Sequence, residues 1–116
     1  MRGKGKVAKY ERTVNGDFDE ILERLEEAVI EGSASSSYED GSDFVQGDFR
    51  CAVRVYERYS WTGGNRCSMN LTLAGSNGTY FLSVITSGGS QGTFMKINTF
   101  GEEAFLETIL DVAETL

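Results

Sequence analysis

The sequence predicts a two-layer α+β domain, a mainly antiparallel sheet with two helices on one face, in the order β-α-β(4-5)-α. Two segments carry their apolar residues on a single stripe at helical spacing, so each helix needs one surface to cover. Between them lie runs in which apolar residues alternate, the pattern of half-buried strands. These runs follow one another through glycine-containing turns with no helix between them. The absence of βαβ alternation argues against a parallel sheet.

Val7 to Val14 is short and rich in β formers and predicts an edge strand ended by Gly16. Asp17, with Glu20 three residues on, has the spacing of a helix N-cap and its capping-box partner. The helix that follows sets Phe18, Ile21, Leu22, Leu25 and Val29 on one stripe, leaves a Glu-rich outer face and closes at Gly32. Ala34 to Glu39 predicts a Ser-rich strand, and Asp40-Gly41-Ser42-Asp43 predicts a turn.

The centre of the chain has the clearest alternation. Phe49, Cys51, Val53, Val55, Glu57 and Tyr59 point one way, towards the expected core, and Arg50, Ala52, Arg54, Tyr56 and Arg58 point the other. After Trp61-Thr62-Gly63-Gly64-Asn65, the residues Cys67, Met69, Leu71 and Leu73 alternate with polar ones. Two odd-numbered apolar sides share a sheet face only across a loop with an odd residue count, so a three- or five-residue loop is expected here. That register also separates Cys51 from Cys67, so both are expected as free thiols. Asn77-Gly78 is a type I′ hairpin signal. Its two-residue loop brings Leu82 and Val84 beside Leu73 and Leu71, with Phe81 and Ile85 on the opposite face. Thr93 to Asn98 predicts a short last strand. Thr99 and Glu102 repeat the capping spacing before a helix striped by Phe105, Leu106, Ile109, Leu110, Ala113 and Leu116. The whole matches a TBP-like or short helix-grip-like arrangement.

At 116 residues the chain fits one domain, assigned to 7–116, preceded by a basic flexible tail over 1–6, native or left over from expression. Net charge is −7 with no His, and the charge is segregated. From Asp17 to Asp48 acids dominate with Arg24 the only base, whereas from Phe49 to Asn98 Arg50, Arg54, Arg58, Arg66 and Lys96 face Glu57 alone. An acidic total disfavours general nucleic-acid binding. No run approaches the roughly 20 apolar residues of a membrane helix, and no secretory signal is visible. A cytoplasmic location is the expectation. Asn70-Leu71-Thr72 and Asn77-Gly78-Thr79 match the glycosylation sequon but read as chance without secretion.

The run Arg50 to Ser60, with Thr62 to Arg66, Thr86 to Gln91 and Asn98 to Glu103, resembles a family of small bacterial proteins of unknown function. The resemblance covers nearly all of the chain after its basic start. It implies a bacterial, intracellular origin and carries over no activity and no site residues.

Without His, Ser-His-Asp and Cys-His catalysis are excluded within one chain, and two Cys cannot close a zinc site. No metal and no cofactor are expected. The acids Glu39, Asp40, Asp43 and Asp48 fail the calcium-loop template at Phe44 and read as a solvated turn. Glu57, with Tyr59 beside it, is the candidate polar group of a pocket between the sheet and the C-terminal helix; the plain alternative is a strand-end carboxylate paired with Arg or Lys. Gly88, Gly89, Ser90 and Gly92 could form a backbone nest for an anion, or simply connect two elements. The best candidate surface is the sheet face away from the helices, expected to gather Arg50, Arg54, Tyr56, Arg58, Phe81 and Ile85. Arg and aromatic residues there suit self-association or a protein partner first, a solvated face covered by long Arg stems second, and single-stranded nucleic acid third. The expected function is a non-enzymatic interaction module using this open face. The alternative is a small-molecule-binding domain or minor enzyme built on the Glu57 pocket.

Overall fold

The computed structural model describes residues 6–32, 36–60, 65–88, 110 and 112–116. Over these the chain runs β1 (Lys6–Asn15), α1 (Phe18–Gly32), β2 (Ser36–Gln46), β3 (Phe49–Ser60), β4 (Asn65–Ser76) and β5 (Thr79–Gly88). The strands form one antiparallel sheet in the order β1-β5-β4-β3-β2, so the expected two-layer α+β class holds. The expected strand over Thr93 to Asn98, the Thr99 cap and Ile109 lie outside the described residues.

Asp17 starts α1 as expected. Its Oδ2 accepts the Glu20 N–H at 3.0 Å, and its carbonyl accepts the Ile21 N–H at 2.9 Å. The stripe Phe18, Ile21, Leu22, Leu25 and Val29 is buried. Because β1 and β2 occupy opposite edges of the sheet, α1 must carry the chain across the whole layer. At about 1.5 Å per residue it spans about 22 Å, comparable with four strand spacings of about 4.8 Å each. The C-terminal helical segment, residues 112–115, joins it on the same face. Ala113 is fully buried there, with Leu110, Val112 and Leu116 packed on the core. The guanidinium of Arg12 on β1 donates to the carbonyls of Ala113 (3.3 Å) and Glu114 (3.2 Å), which satisfies acceptors that a helix end leaves orphaned.

Two hairpin turns obey simple backbone chemistry. Asn77 (φ 58°) and Gly78 (φ 80°) both take positive φ, the type I′ requirement, and β4 and β5 pair across them from Ser76↔Thr79. The β2–β3 turn is Gly47-Asp48, with Gly47 at φ 60°. The expected turn at Asp40 to Asp43 is therefore replaced by continuous strand. What interrupts β2 is a register shift between Tyr38 and Asp40, which places the extra residue at Glu39.

The register of β3 on β4 overturns the expected facing of β3. Ala52 pairs with Leu73, Arg54 with Leu71 and Tyr56 with Met69, and the closing pair is Ser60↔Asn65. The connection is thus residues 61–64, an even count rather than an odd one. A one-residue difference in loop length exchanges the two faces of a strand. The even-numbered side of β3 therefore lies under α1, and Phe49, Cys51, Val53, Val55, Glu57 and Tyr59 lie on the open side. β5 follows the expected register, with Leu73↔Leu82 and Leu71↔Val84.

Candidate functional site

The exchange of faces puts arginines where a helix–sheet interface would ordinarily be apolar. It works because α1 is acidic. Arg54 on β3, only 13% exposed, donates from Nε to Glu26 of α1 at 2.7 Å and from Nη2 to Asp43 of β2 at 2.9 Å. Its Nη1 donates to the carbonyls of Val53 (3.0 Å) and Ser42 (3.2 Å). Burial pulls the Arg54 pKa down, but the hydrogen bonds to Asp43 and Glu26 outweigh it and the net shift is upward. Nearer the start of α1, Arg50 pairs with Asp19 at 2.9 Å and lies 4.2 Å over the Phe18 ring centroid. That hydrogen bond holds the Asp19 carboxyl below its ordinary value.

Between α1, β2 and β3 this ionic seam opens into a shallow cleft of about 370 Å³, lined by Glu26, Ile30, Tyr38, Asp43, Arg54 and Tyr56, with Gly41 in its floor. Tyr38 and Tyr56 meet edge to face at 5.8 Å. Burial, reinforced by the Glu26 carboxylate, pushes the Tyr56 hydroxyl well above its ordinary value. A phenol shifted upward is a poor base and a poor nucleophile at neutral pH. Arg54 is engaged on all three nitrogens, so the cleft offers a ligand its carboxylate edges and the exposed Tyr38 ring rather than a free cation.

The opposite face of the sheet carries no helix among the described residues. Its side chains fall into cross-strand rows set by the register. One row is Thr13, Phe81, Ala74, Cys51 and Phe44, from β1 to β2. The next is Glu11, Ser83, Thr72, Val53 and Ser42, and the next Lys9, Ile85, Asn70, Val55 and Asp40. The first row is apolar across four strands, and Phe49 extends it, its ring 6.3 Å from that of Phe44. Phe44 is 54% exposed, Phe81 46%, Phe49 40% and Ile85 38%.

The expected site residues thus separate. Phe81 and Ile85 lie on the open face, as expected. Arg50, Arg54, Tyr56 and Arg58 do not: they are on the helix-covered face, Tyr56 fully buried and the other three half-buried. Glu57 and Tyr59 do not point to a core-side pocket either. Both are on the open face, where Glu57 forms an ion pair with Arg66; the cleft described above is at α1, and most of the C-terminal segment that would wall the expected pocket lies outside the described residues. Gly88 ends β5, and Gly89, Ser90 and Gly92 lie outside the described residues. Cys51 and Cys67 are free thiols, the first half-buried on the open face and the second buried in the core. Residues missed by the sequence reading are Glu26, Tyr38 and Asp43 of the cleft and Phe44, Phe49, Cys51 and Val53 of the open face. The signal that could have found the seam is the charge segregation itself, an acidic block preceding a basic one.

Among the described residues no group of His, Cys, Asp and Glu is arranged to hold a metal ion, and no helix is long and apolar enough to cross a membrane. No curated protein matches the chain in sequence. Among solved structures, DynU16, a putative protein in the dynemicin biosynthetic locus, is similar with a TM-score of 0.51 at 17% identity. The match covers 97% of this chain and 48% of DynU16, so this chain spans about half of that one. A hypothetical protein from Helicobacter pylori matches at TM-score 0.47 and 10% identity, over 95% of this chain and 89% of its own. LpqN, involved in cell envelope biogenesis of Mycobacterium tuberculosis, matches at TM-score 0.44 and 14% identity, over 89% and 58%. The DynU16 likeness shows the fold alone, and the other two carry no argument. The model of a family of unknown function, DUF6054, matches residues 7–116, and the chain belongs to that family.

Proposed function

We propose that this protein is a non-enzymatic interaction module that binds a protein partner through the open face of its sheet. The observation that carries the reading is the row Phe81–Ala74–Cys51–Phe44, apolar across four strands and solvent-facing. Contiguous exposed apolar patches on small domains mark interaction sites. The row from Phe81 to Phe44 carries no charge, whereas α1 carries Asp19, Glu20, Glu23, Glu26, Glu27 and Glu31 outward or onto the arginine seam. Depletion of charge at the centre of a patch is the compositional signal of an interface. Two free thiols fit a reducing, cytoplasmic setting.

Affinity capture with Phe81→Glu and Phe44→Glu tests the reading. Both should lose every partner that the unaltered protein and a cleft variant, Asp43→Asn, retain. Partners kept by the face variants and lost by the cleft variant would overturn it. That second result would favour a small-molecule or peptide site in the α1 cleft, where the exposed Tyr38 ring and the edges of Glu26 and Asp43 suit an organic cation with an apolar body.

A further inference from the structure

We propose that the partner on the open face is a second copy of this chain, packed sheet to sheet about a twofold axis that runs along β4, parallel to the strands. This rests on the interaction-module reading and names its occupant. A twofold axis along the strands leaves the height of every residue unchanged and reverses the strand order. β1 then faces the partner's β2, β5 faces the partner's β3, and β4 faces itself.

The rows of this sheet are complementary under that operation. In the row Lys9, Ile85, Asn70, Val55, Asp40, reversal sets Lys9 against the partner's Asp40, and Ile85 against the partner's Val55. In the row Thr13, Phe81, Ala74, Cys51, Phe44, it sets Phe81 against the partner's Cys51 and Thr13 against the partner's Phe44. Small Ala74 meets its own copy on the axis, so the bulky side chains of each sheet flank a narrow centre rather than collide. Glu11 already accepts the Ser83 hydroxyl at 2.9 Å and meets the partner's Ser42, so no acid faces an acid in these rows. The other in-plane axis, perpendicular to the strands through the Thr72 row, would lay β1 on itself and oppose Glu11 to its own copy. A chain of net charge −7 associates only through a surface that avoids such repulsion. Five strands spaced about 4.8 Å apart and about 30 Å long offer a whole sheet face of about 700 Å² per subunit, close to the roughly 800 Å² of a standard interface. Stacked sheets align within about 30°, which keeps row ends in register.

Analytical ultracentrifugation of the full chain, with four variants, tests the geometry. The unaltered protein should be dimeric in the micromolar range. Lys9→Glu or Asp40→Lys alone should weaken dimerisation at least tenfold, and the double reversal Lys9→Glu/Asp40→Lys should return the dissociation constant to within about threefold. Both positions are exposed, so folding is not at stake. Glu23→Gln, on the exposed side of α1, should leave association unchanged. A monomer at several hundred micromolar, or single variants that weaken the dimer without rescue by the double, overturns the proposal. If the unaltered protein is monomeric yet loses a captured protein on Phe81→Glu, the second copy is wrong and the module reading survives. If no partner of either kind depends on Phe81, both fall.

Discussion

Tyr56 and Arg54 are neighbours under α1 with opposite chemical demands. Tyr56 is fully buried, and its hydroxyl pKa is raised above 10.0, first by desolvation and then by Glu26. A raised pKa means that folding favours the protonated phenol. Its contribution is fully present below about pH 10 and is lost as pH rises towards the folded value. Ultraviolet titration of the native protein should show a late tyrosine ionisation, that of Tyr56, delayed until unfolding. Tyr56→Phe should abolish that late step and lose less stability between pH 8 and 11 than the unaltered protein. Arg54 poses the reverse case. Removing it strands Glu26 beside Asp43 with no cation between them, and Arg54→Ala should cost about 1–3 kcal/mol in denaturant unfolding. Arg54→Lys should recover only part, because an ammonium cannot bridge Glu26, Asp43 and two carbonyls from one planar group.

At the scale of elements, α1 is held by two unlike seams. Along the β5–β4 side it is apolar, with Phe18 meeting the Tyr80 ring edge to face at 5.1 Å and Leu25 fully buried. Leu25→Ala should cost about 2–5 kcal/mol. Along the β3–β2 side it is ionic, through Asp19–Arg50 and Glu26–Arg54. The Asp19 pKa is lowered from 3.8 by the Arg50 hydrogen bond, so that pair's contribution is present above about pH 4 and fades as pH falls through the lower folded value. Asp19→Asn should therefore lower stability slightly at neutral pH, leave it unchanged at the acid end, and so flatten that limb of the pH profile. The edge strand β2 depends on Gly41. A Cβ there would meet the Tyr38 hydroxyl at 2.6 Å and the Val53 carbonyl oxygen at 2.9 Å. Gly41→Ala should displace Tyr38 from the cleft floor and cost about 1–3 kcal/mol, measured alongside the loss of any cleft ligand.

For the whole molecule, the distribution of charge and apolar surface divides the two faces of the sheet. The acids of α1 face the arginines beneath it, and the other face carries an apolar row across β5, β4, β3 and β2. If a second copy covers that face, the two thiols should respond differently to concentration. Cys51 should react quickly with a thiol reagent in dilute protein and slowly in concentrated protein, whereas Cys67, 3% exposed, should stay slow throughout. In Phe81→Glu the Cys51 rate should no longer depend on concentration. A Cys51 rate that never varies with concentration in the unaltered protein would count against burial of the face.

Local rules acted where their signal is contained in a few adjacent residues. Asp17 and Glu20 announce the start of α1, the stripe from Phe18 to Val29 announces its buried side, and Asn77-Gly78 announces a turn that only positive φ can make. Each of these, and with them the α+β class and the β5 register, was determined by the sequence alone. The facing of β3 was not. Its odd side, Phe49, Cys51, Val53 and Val55, is the more apolar, and by alternation alone it belongs in the core. Which side turns inward is decided by the pairing across residues 61–64 and by what waits on the helix. An acidic α1 can neutralise Arg50 and Arg54 and let their long stems pack, so the arginine side can be covered at little cost. The cleft residues Glu26, Tyr38 and Asp43 come from three elements joined only by that packing, and no spacing within the chain encodes their meeting. The apolar row of the open face arises in the same way, because its members from β5, β4, β3 and β2 become neighbours only through strand register, a long-range property that a single residue of loop length can invert.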